Sequence, residues 1–343
     1  MTWLAWRQLR IQAVVVYGAL AVLAAVLGVT GAQLADLSDT SGSTLLERLA
    51  SGGAKGTMYF LGSAAVLTLP AIVGVFWGAP LVARELEAGT HRLVWSQTVT
   101  RSRWLATKVA LTGLAAMAAV ALLSVVMTWW AGPIQSAIES GQGVDGIFGL
   151  SRISPWMFDA RGIAPIGYTA FAFALGVTAG LVIRRTVPAM AVTLAVFVAV
   201  QIAMPLAVRA HLGPAELTTA ITAENLRGLM ISGRGPGGPV EELNVSIGKP
   251  GAWVIANETL DPAGRVAGTL PSWVADCGGP PGQQLEAQQR ACFARLADDG
   301  YRQRVTYQPD SRYWALQAYE TAIFLALALG LIGFCFWWLR RLT

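Results

Sequence analysis

The chain has 343 residues, of which 54% are hydrophobic and only 13% are charged. Soluble domains carry about 25% charged residues, so this composition excludes an ordinary soluble protein and predicts one that crosses a membrane several times. The net charge of +5 does not indicate nucleic-acid binding, because the basic residues lie beside apolar segments and form no stripe on a soluble domain.

Six uncharged runs reach roughly the 20 residues that a transmembrane helix needs. They are Ile11–Ala35, Gly56–Ala83, Val109–Ile138, Gly162–Ile183, Thr186–Val208 and Thr321–Leu339. The sequence therefore predicts an all-α polytopic membrane protein with six transmembrane helices. The first ten residues are similar to the start of a signal peptide, but the apolar run that follows is long for one and five more come after it. We expect an uncleaved first helix.

The basic residues predict the orientation, because cytoplasmic loops of membrane proteins are enriched in Lys and Arg. With the N-terminus inside, the inner segments 1–10, 81–108, 184–187 and 340–343 hold eleven basic and two acidic residues. The outer segments hold 14 basic and 18 acidic residues. Only three of the 25 basic residues are lysine, which favours a GC-rich bacterial genome. We expect a bacterial cell-membrane protein with both termini in the cytoplasm.

The outer segments differ in kind. Residues 36–57 are rich in Ser and Gly and predict a flexible loop. Trp156 and Phe158 predict a short helix at the outer interface. The longest outer segment, 209–315, is large enough for a small α+β extracellular domain between helices 5 and 6. This divides the chain into 1–208 with helices 1–5, the domain 209–315, and 316–343 with helix 6 and a cytoplasmic C-terminus.

Local patterns predict the elements of that outer domain. The segment GPAELTTAITAENLRGLM predicts a helix, with Pro214 near its start and Gly228 near its end. The segments AWVIANETL and RQRVTYQ predict strands, and QQLEAQQRACFARLADDG predicts a helix that ends at Gly300.

Two of the three cysteines, Cys277 and Cys292, lie in the outer domain, where disulfides persist. We expect them to form a disulfide, which would stabilise the domain by roughly 3 kcal/mol for a loop of about 15 residues. The alternative is two reduced, packed thiols. Cys335 lies in the last apolar run, and we expect it to pack against neighbouring helices as a free thiol.

The sequence contains no motif for covalent chemistry. It has no ATP-binding loop of the form GxxxxGK[ST], no GxSxG, no HExxH and no cysteine–histidine group with metal-site spacing. We expect no catalytic residue, no metal and no cofactor in this chain. The uncharged runs argue against proton coupling, because a proton-coupled carrier needs ionisable groups within the membrane. Any energy for transport would come from another polypeptide.

Two GxxxG patterns lie in the apolar runs. Gly74 and Gly78 form one, and Gly176 and Gly180 form the other. Such patterns allow two helices to come close together, but they also arise by chance in Gly-rich chains. Both interpretations stay open.

Residues 81–108 form a polar segment between the second and third runs. Pro80 can begin a helix there, and Gly89 can end it. Thr100 or Ser102 would cap the next membrane helix. Two short helices parallel to the membrane would present a charged surface to the cytoplasm, composed of Arg84, Glu85, Glu87, Arg92 and Trp95. The alternative is an interfacial helix whose arginines contact lipid head groups.

This segment resembles the first intracellular loop of ABC-2 type permeases, the membrane subunits of many bacterial ABC exporters. The similarity lies in Glu85-Leu86-Glu87-Ala88-Gly89-Thr90, followed by Ser102-Arg103-Trp104 and Lys108. The order of parts is also similar, with six spans and the largest outer segment between the fifth and the sixth. The tail, which ends in FCFWWLRR, looks like permeases common in actinobacteria.

The resemblance implies a half-transporter that pairs with a second copy or a homologous permease around a translocation path. Two copies of a separate cytosolic ATPase subunit, which carries ATP and Mg, would bind the coupling helix in 81–108. The implied contact residues are Arg84, Glu85, Glu87, Gly89, Thr90, Arg92 and Trp95. The outer segment is larger than in the simplest members of the family, so the exit side and the substrate stay open.

Two other functions stay open. A membrane-anchored sensor would bind a peptide or lipid through the outer domain. An ion-coupled carrier would depend on an ion gradient and on no ATPase. Small hydrophobic drugs, peptides and lipids would all fit a path lined by Ala, Val, Leu and Thr.

Overall fold

The computed structural model describes residues 2–41, 44–51, 53–89, 100–141, 150–221, 226–233, 240–247, 249–277 and 283–341. The chain divides into two compact units. The first, Met1–Arg209 with Arg312–Thr343, is helical in its described residues, and the second, Ala210–Ser311, contains the strands.

Six helices are long and apolar enough to cross a membrane, which confirms the number that the sequence predicts. We name them the first to sixth spans in chain order. They are Ala13–Thr40, Gly56–Glu87, Arg101–Trp130, Ala164–Ile183, Thr186–His211 and Asp310–Arg341. The predicted fold class, a six-span helical membrane protein with a small sheet between the fifth and sixth spans, is confirmed.

The fourth span lies at the centre of the helical unit. It contacts the second, third, fifth and sixth spans, whereas the first span packs mainly on the third. Accordingly, 67% of the most apolar window of the fourth span is buried, against 11% of that of the first. Ala and Gly make up much of the fourth span, and their small side chains let four neighbours approach it.

Side-chain contacts identify two opposite ends of the helix bundle. The Glu85 end contains the end of the second span, the start of the third, the end of the fourth and the start of the fifth. The Arg209 end contains the end of the fifth span, the start of the sixth, and the segment 153–168 that leads into the fourth.

The second span is one continuous run of helix. It consists of an α-helix Gly53–Val73, a π-helical turn Gly74–Gly78 and an α-helix Ala79–Glu87. Pro80 begins the α-helix Ala79–Glu87 as expected, but this helix continues the second span and is not a separate short helix. Pro80 lies in the first turn after the π turn, where a missing backbone N–H is tolerated.

Residues 36–57 are largely helical, so the predicted flexible loop is wrong. The first helix, Thr2–Ser41, extends past the apolar run, a short helix Leu45–Ser51 follows, and the next helix begins at Gly53. Leu45, Leu46 and Leu49 are buried in the core between spans, and their spacing places them on one helical face. This burial outweighs the Ser- and Gly-rich composition.

The remaining helices of this unit follow the predicted runs closely. They are Arg101–Trp130, Gly132–Glu139, Pro155–Asp159, Ala164–Ile183, Thr186–Ala203 with a π turn Met204–Val208, and Tyr313–Arg341. The predicted short helix with Trp156 and Phe158 is present at Pro155–Asp159. Trp156 is exposed, but Phe158 is fully buried, so only Trp156 is free to meet the interface.

The second unit contains two antiparallel sheets. Strands β1 (Ala215–Ala220), β4 (Trp253–Leu260) and β5 (Arg302–Gln308) form a sheet in the order β1-β5-β4. Strands β2 (Leu226–Gly233) and β3 (Val240–Ile247) form a pair. A helix Gln283–Asp298 adds Phe293 and Leu296 to a core with Val305.

The predictions for this unit are confirmed except for its first helix. The segments that contain β4 and β5 are strands, and Gln283–Asp298 is a helix followed by Gly300. The segment 213–230, predicted as a helix, instead holds β1 and β2. Exposure alternates along β1, and every residue of β1 pairs with β5, so pairing between distant segments overrides the local helix signals.

Candidate functional site

The end of the second span carries the residues that the sequence predicts to contact an ATPase. The helix ends at Glu87, and the backbone N–H of Ala88 donates to the Arg84 carbonyl at 3.0 Å. Gly89 follows with a φ of +69°, a conformation that side chains other than hydrogen rarely adopt. The prediction that Gly89 ends this helix is therefore confirmed.

Glu85 joins the second span to the third. Its carboxylate forms an ion pair with Lys108, a side chain that is only 7% exposed. The Lys108 ammonium also lies 5.0 Å from the ring centroid of Trp104. The third span begins with Thr100 as its cap, because the Thr100 hydroxyl accepts from the Arg103 N–H at 3.4 Å. Thr100 is thus the capping residue of the two that the sequence allows.

Glu87 joins the second span to the fifth. Its Oε2 atom accepts from the Thr186 backbone N–H at 3.0 Å and from the Thr186 hydroxyl at 2.7 Å. Thr186 is the first residue of its helix, so Glu87 caps that helix from a neighbouring element. A carboxylate is favoured there, because a helix N-terminus carries a partial positive charge.

The structure describes four of the seven predicted contact residues. Arg84 and Glu87 are exposed, Glu85 is half-buried against Lys108, and Gly89 lies just beyond the helix. Thr90, Arg92 and Trp95 lie outside the described residues. Glu85 and Glu87 therefore make contacts within the bundle, while Arg84, Ala88 and Gly89 surround the end of the helix.

The four glycines of the two GxxxG patterns lie where the second span meets the fourth. A Cβ atom on Gly176 would lie 2.3 Å from the Gly74 carbonyl oxygen, and one on Gly180 would lie 2.4 Å from the Ala79 carbonyl oxygen. A Cβ on Gly74 or Gly78 would lie 2.7 Å from a backbone oxygen of the fourth span. Only glycine fits at these positions without displacement of the backbone.

A network of buried charges lies at the Arg209 end. The Arg209 side chain is fully buried, and its Nε and Nη2 atoms donate to the two Glu320 carboxylate oxygens at 2.9 and 2.8 Å. Nη2 also donates to Asp159, and the guanidinium lies 3.9 Å from the centre of the Phe158 ring. The Tyr168 hydroxyl lies 2.6 Å from a Glu320 oxygen and 2.9 Å from an Asp159 oxygen.

Gln317 ties the start of the sixth span to the segment before the fourth. Its Oε1 atom accepts from the backbone N–H groups of Ile163 and Ala164 at 3.0 and 2.7 Å. Its Nε2 atom donates to the Phe158 and Arg161 carbonyls at 3.0 and 3.1 Å. One buried side chain thus bonds to four backbone groups between the short helix Pro155–Asp159 and the start of the fourth span.

Burial changes the acidity of the two charged residues in that segment. It raises the pKa of the Asp159 carboxyl to about 6, and the charge of Arg209 opposes this rise. Burial also lowers the pKa of Arg161 to about 10. The Arg209 guanidinium thus lies against the carboxyl groups of both Asp159 and Glu320.

No local sequence pattern predicts this network, and the uncharged runs, from which we argued against proton coupling, end just short of these buried charges. Arg209 and Glu320 lie just outside the uncharged runs, but both belong to the observed spans and both are buried. One signal was present: Gln317 and Glu320, three residues apart, share a helical face.

The cysteines are partly described. Cys292 is disulfide-bonded, and Cys335 is a free, buried thiol 3.2 Å from the Thr178 hydroxyl. The side chain of Cys277 lies outside the described residues, so the pairing of Cys277 with Cys292 stays a prediction. In the part of the chain that the structure describes, no group of three His, Cys, Asp or Glu residues could hold a metal ion.

Comparison with known proteins identifies the family. A family model described as ABC-2 membrane transporter related matches residues 17–209, which cover nearly all of the first five spans and more than half of the chain. No curated protein and no solved structure matches the chain. The match agrees with the six apolar helices and with the resemblance of residues 85–108 to ABC-2 permeases. The chain therefore belongs to the ABC-2 membrane transporter related family.

Proposed function

We propose that this chain is the permease subunit of an ATP-driven exporter in a bacterial cell membrane. It pairs with a second copy or a homologous permease, and each permease binds one copy of a separate cytosolic ATPase through residues 81–108. The ATPase subunit carries ATP and Mg, and the permease itself performs no covalent chemistry. Membership of the family supports the permease role.

The observation that carries the proposal is the way the second span ends. Glu85 binds Lys108 of the third span, and two residues later Glu87 caps the fifth span at Thr186. The glycine contacts join the same helix to the fourth span. A force applied at Ala88 and Gly89 would therefore reach three other spans directly, which is what coupling to an ATPase requires.

The orientation follows from the charges of the connecting segments. The Glu85 end includes Arg84, Arg101, Arg103, Arg184 and Arg185, and basic residues favour the cytoplasmic side. The chain then has both termini in the cytoplasm, and residues 209–315 lie outside the cell. This orientation also places the proposed docking site on the side where ATP is available.

Photocrosslinking from matched cysteines tests the docking site. Ala88 and Ser140 are exposed residues, each directly after a helix end, and they lie at opposite ends of the bundle. Ala88→Cys and Ser140→Cys would each be co-expressed with a candidate ABC ATPase subunit from the same genome and then labelled with benzophenone-maleimide. We expect an adduct with the ATPase from position 88 only. Equal adducts from both positions, or none from position 88, would contradict the proposal.

The same two variants test the orientation. A membrane-impermeant maleimide added to intact cells should label Ser140→Cys and leave Ala88→Cys unlabelled, and permeabilised cells should show both labels. The unmodified chain reports any labelling of the three native cysteines. The reverse pattern would place the Glu85 end outside the cell and exclude a cytosolic partner there.

A sensor is the second candidate, because the unit Ala210–Ser311 has a hydrophobic core of its own that includes Phe293, Leu296 and Val305. A sensor would work without an ATPase. Binding of a peptide or lipid by this unit, with no transport and no effect of deleting the ATPase, would favour it over the exporter. Activity that survives ATP depletion and stops when the ion gradient collapses would instead indicate an ion-coupled carrier.

A further inference from the structure

A cavity of about 430 Å³ lies between the first, second and fifth spans. Its volume falls within the roughly 300–1,000 Å³ of typical ligand sites. Val15, Phe76, Trp77 and Met190 give it an apolar lining, and Arg84 and Thr186 line it as well. Phe76 is 56% exposed beside it, whereas Trp77 is only 6% exposed. The cavity is thus an apolar groove on the lipid-facing side of the bundle.

The charge at this groove is concentrated at one end. Arg84 lies seven residues after Trp77 on one helix, which is a rise of roughly 10 Å towards the Glu85 end. Thr186 begins the fifth span at the same end, and Arg184 and Arg185 precede it. Two acidic groups lie at the same end, and both have partners: Glu87 is bonded to Thr186, and Glu85 pairs with Lys108. Among the residues that the structure describes, no carboxylate pairs with Arg84.

This arrangement matches one chemical class. The groove is apolar along its length and has, at its polar end, an arginine that pairs with no described carboxylate. It therefore complements an anionic head group attached to a hydrocarbon chain. A second copy of the chain fits less well. Related by a two-fold axis, it would present the same arginines near those of the first copy, and like charges repel.

We propose that the groove between the first, second and fifth spans binds an anionic phospholipid of the surrounding bilayer, with its phosphate at Arg84 and an acyl chain along Phe76 and Trp77. Arg84 then serves the lipid rather than the ATPase, while Ala88 and Gly89 beyond the helix end stay accessible. The site does not depend on the proposed exporter function, because it is complete in one chain without an ATPase.

Tryptophan quenching of the full-length protein in detergent micelles tests the site. The probes are phosphatidylglycerol and phosphatidylcholine with brominated acyl chains, and the difference between the wild type and Trp77→Phe isolates the signal of Trp77. We expect phosphatidylglycerol to quench Trp77 at about fivefold lower mole fraction than phosphatidylcholine. That factor corresponds to ~1 kcal/mol per basic residue near an anionic lipid surface.

Two arginine variants distinguish binding in the groove from non-specific attraction of anionic lipid to basic residues. Arg84→Gln should abolish the preference for phosphatidylglycerol. Arg103→Gln, an exposed arginine at the same end that does not line the groove, should keep it. A third variant, Met190→Trp, should fill the groove and reduce the number of phosphatidylglycerol molecules retained in native mass spectra.

Three outcomes would contradict the lipid site. Equal quenching by the two lipids, or the same loss in Arg84→Gln and Arg103→Gln, would overturn the proposal. It would also fail if neither lipid quenched Trp77 while the protein ran as a dimer that Met190→Trp disrupted, because a second copy would then cover the groove.

Discussion

The two ends of the helix bundle are held together by different chemistry. At the Arg209 end, a buried arginine binds carboxylates from two other elements, and Gln317 satisfies four backbone groups. At the Glu85 end, the ion pair of Glu85 with Lys108 and the exposed cap of Glu87 on Thr186 join the spans, and close contact between backbones holds the second span against the fourth. Buried charges separate only at high cost, whereas exposed contacts exchange with water.

This difference indicates which end can move. Spans that share buried, paired charges move as one body, because any separation would leave a charge without a partner in an apolar environment. Spans that share an exposed cap can separate and bind water or a partner instead. The Arg209 end keeps the fourth, fifth and sixth spans in register, and the Glu85 end, where we propose that the ATPase binds, is the end where spans can separate.

Removal of Arg209 should have the largest effect. Arg209→Ala leaves Asp159 and Glu320 buried with no cation between them, and a broken buried ion pair costs roughly 3–5 kcal/mol. We expect a clearly lower melting temperature in detergent than for the control Arg103→Ala, an exposed arginine at the other end.

A triple variant tests whether unpaired buried charge, rather than lost packing, causes the loss of stability. When Arg209→Met is combined with Asp159→Asn and Glu320→Gln, no buried charge is left unpaired, so most of the stability should return. Equal melting temperatures for Arg209→Ala and Arg103→Ala would mean that the network does not hold this end together.

The glycine contact between the second and fourth spans should give the next largest effect. Gly176→Ala would place a methyl group 2.3 Å from the Gly74 carbonyl oxygen, which forces the two helices apart. We expect a loss of roughly 1–3 kcal/mol, as for other overpacked cores. Gly330→Ala in the sixth span has open space around its Cβ and is the matched control.

That control should be neutral or slightly stabilised, because alanine favours a helix over glycine by roughly 0.5–1 kcal/mol. Thermal unfolding of both variants in the same detergent makes the comparison. A Gly176→Ala protein as stable as Gly330→Ala would show that the two spans do not need this close approach.

The ion pair of Glu85 with Lys108 should matter less than Arg209, because the Glu85 side chain is 17% exposed. Glu85→Gln should cost about 1–2 kcal/mol, between the values of exposed and fully buried pairs. Adding Lys108→Met should recover part of the loss, since no ammonium then lies buried alone. A double-mutant cycle that shows additive effects would contradict a direct interaction.

The sequence predicts features that depend on neighbouring residues and misses those that depend on distant ones. A span is recognised from the hydropathy of a single stretch of about 20 residues. The helix end at Gly89 and the helix cap at Thr100 also depend only on residues close in the chain. The Arg209 network joins residues 50 and 111 positions apart, so no local pattern contains it. Arg209 and Glu320 flank apolar runs, where charged residues commonly mark the membrane boundary.

The errors in local structure have the same cause. Residues 36–57 carry loop-forming Ser and Gly, yet burial of Leu45, Leu46 and Leu49 between spans makes much of the segment helical. The segment 213–230 has helix start and end signals, yet β5, about 90 residues later, pairs with β1. In both places, packing against a distant part of the chain decides the conformation.

Removal of the Glu87 cap on Thr186 should have the smallest effect on stability, and it tests whether the Glu85 end can move. Glu87→Ala removes the carboxylate that accepts two hydrogen bonds at the start of the fifth span, but both groups can then bond to water. We expect an unchanged melting temperature and faster amide hydrogen exchange in residues 186–190. Glu139→Ala changes an exposed glutamate near the opposite end that caps no other helix among the described residues, and it should leave exchange in residues 186–190 unchanged. Slow exchange that persists in Glu87→Ala would mean that the fifth span is fixed by packing alone, and the Glu85 end would then be as rigid as the Arg209 end.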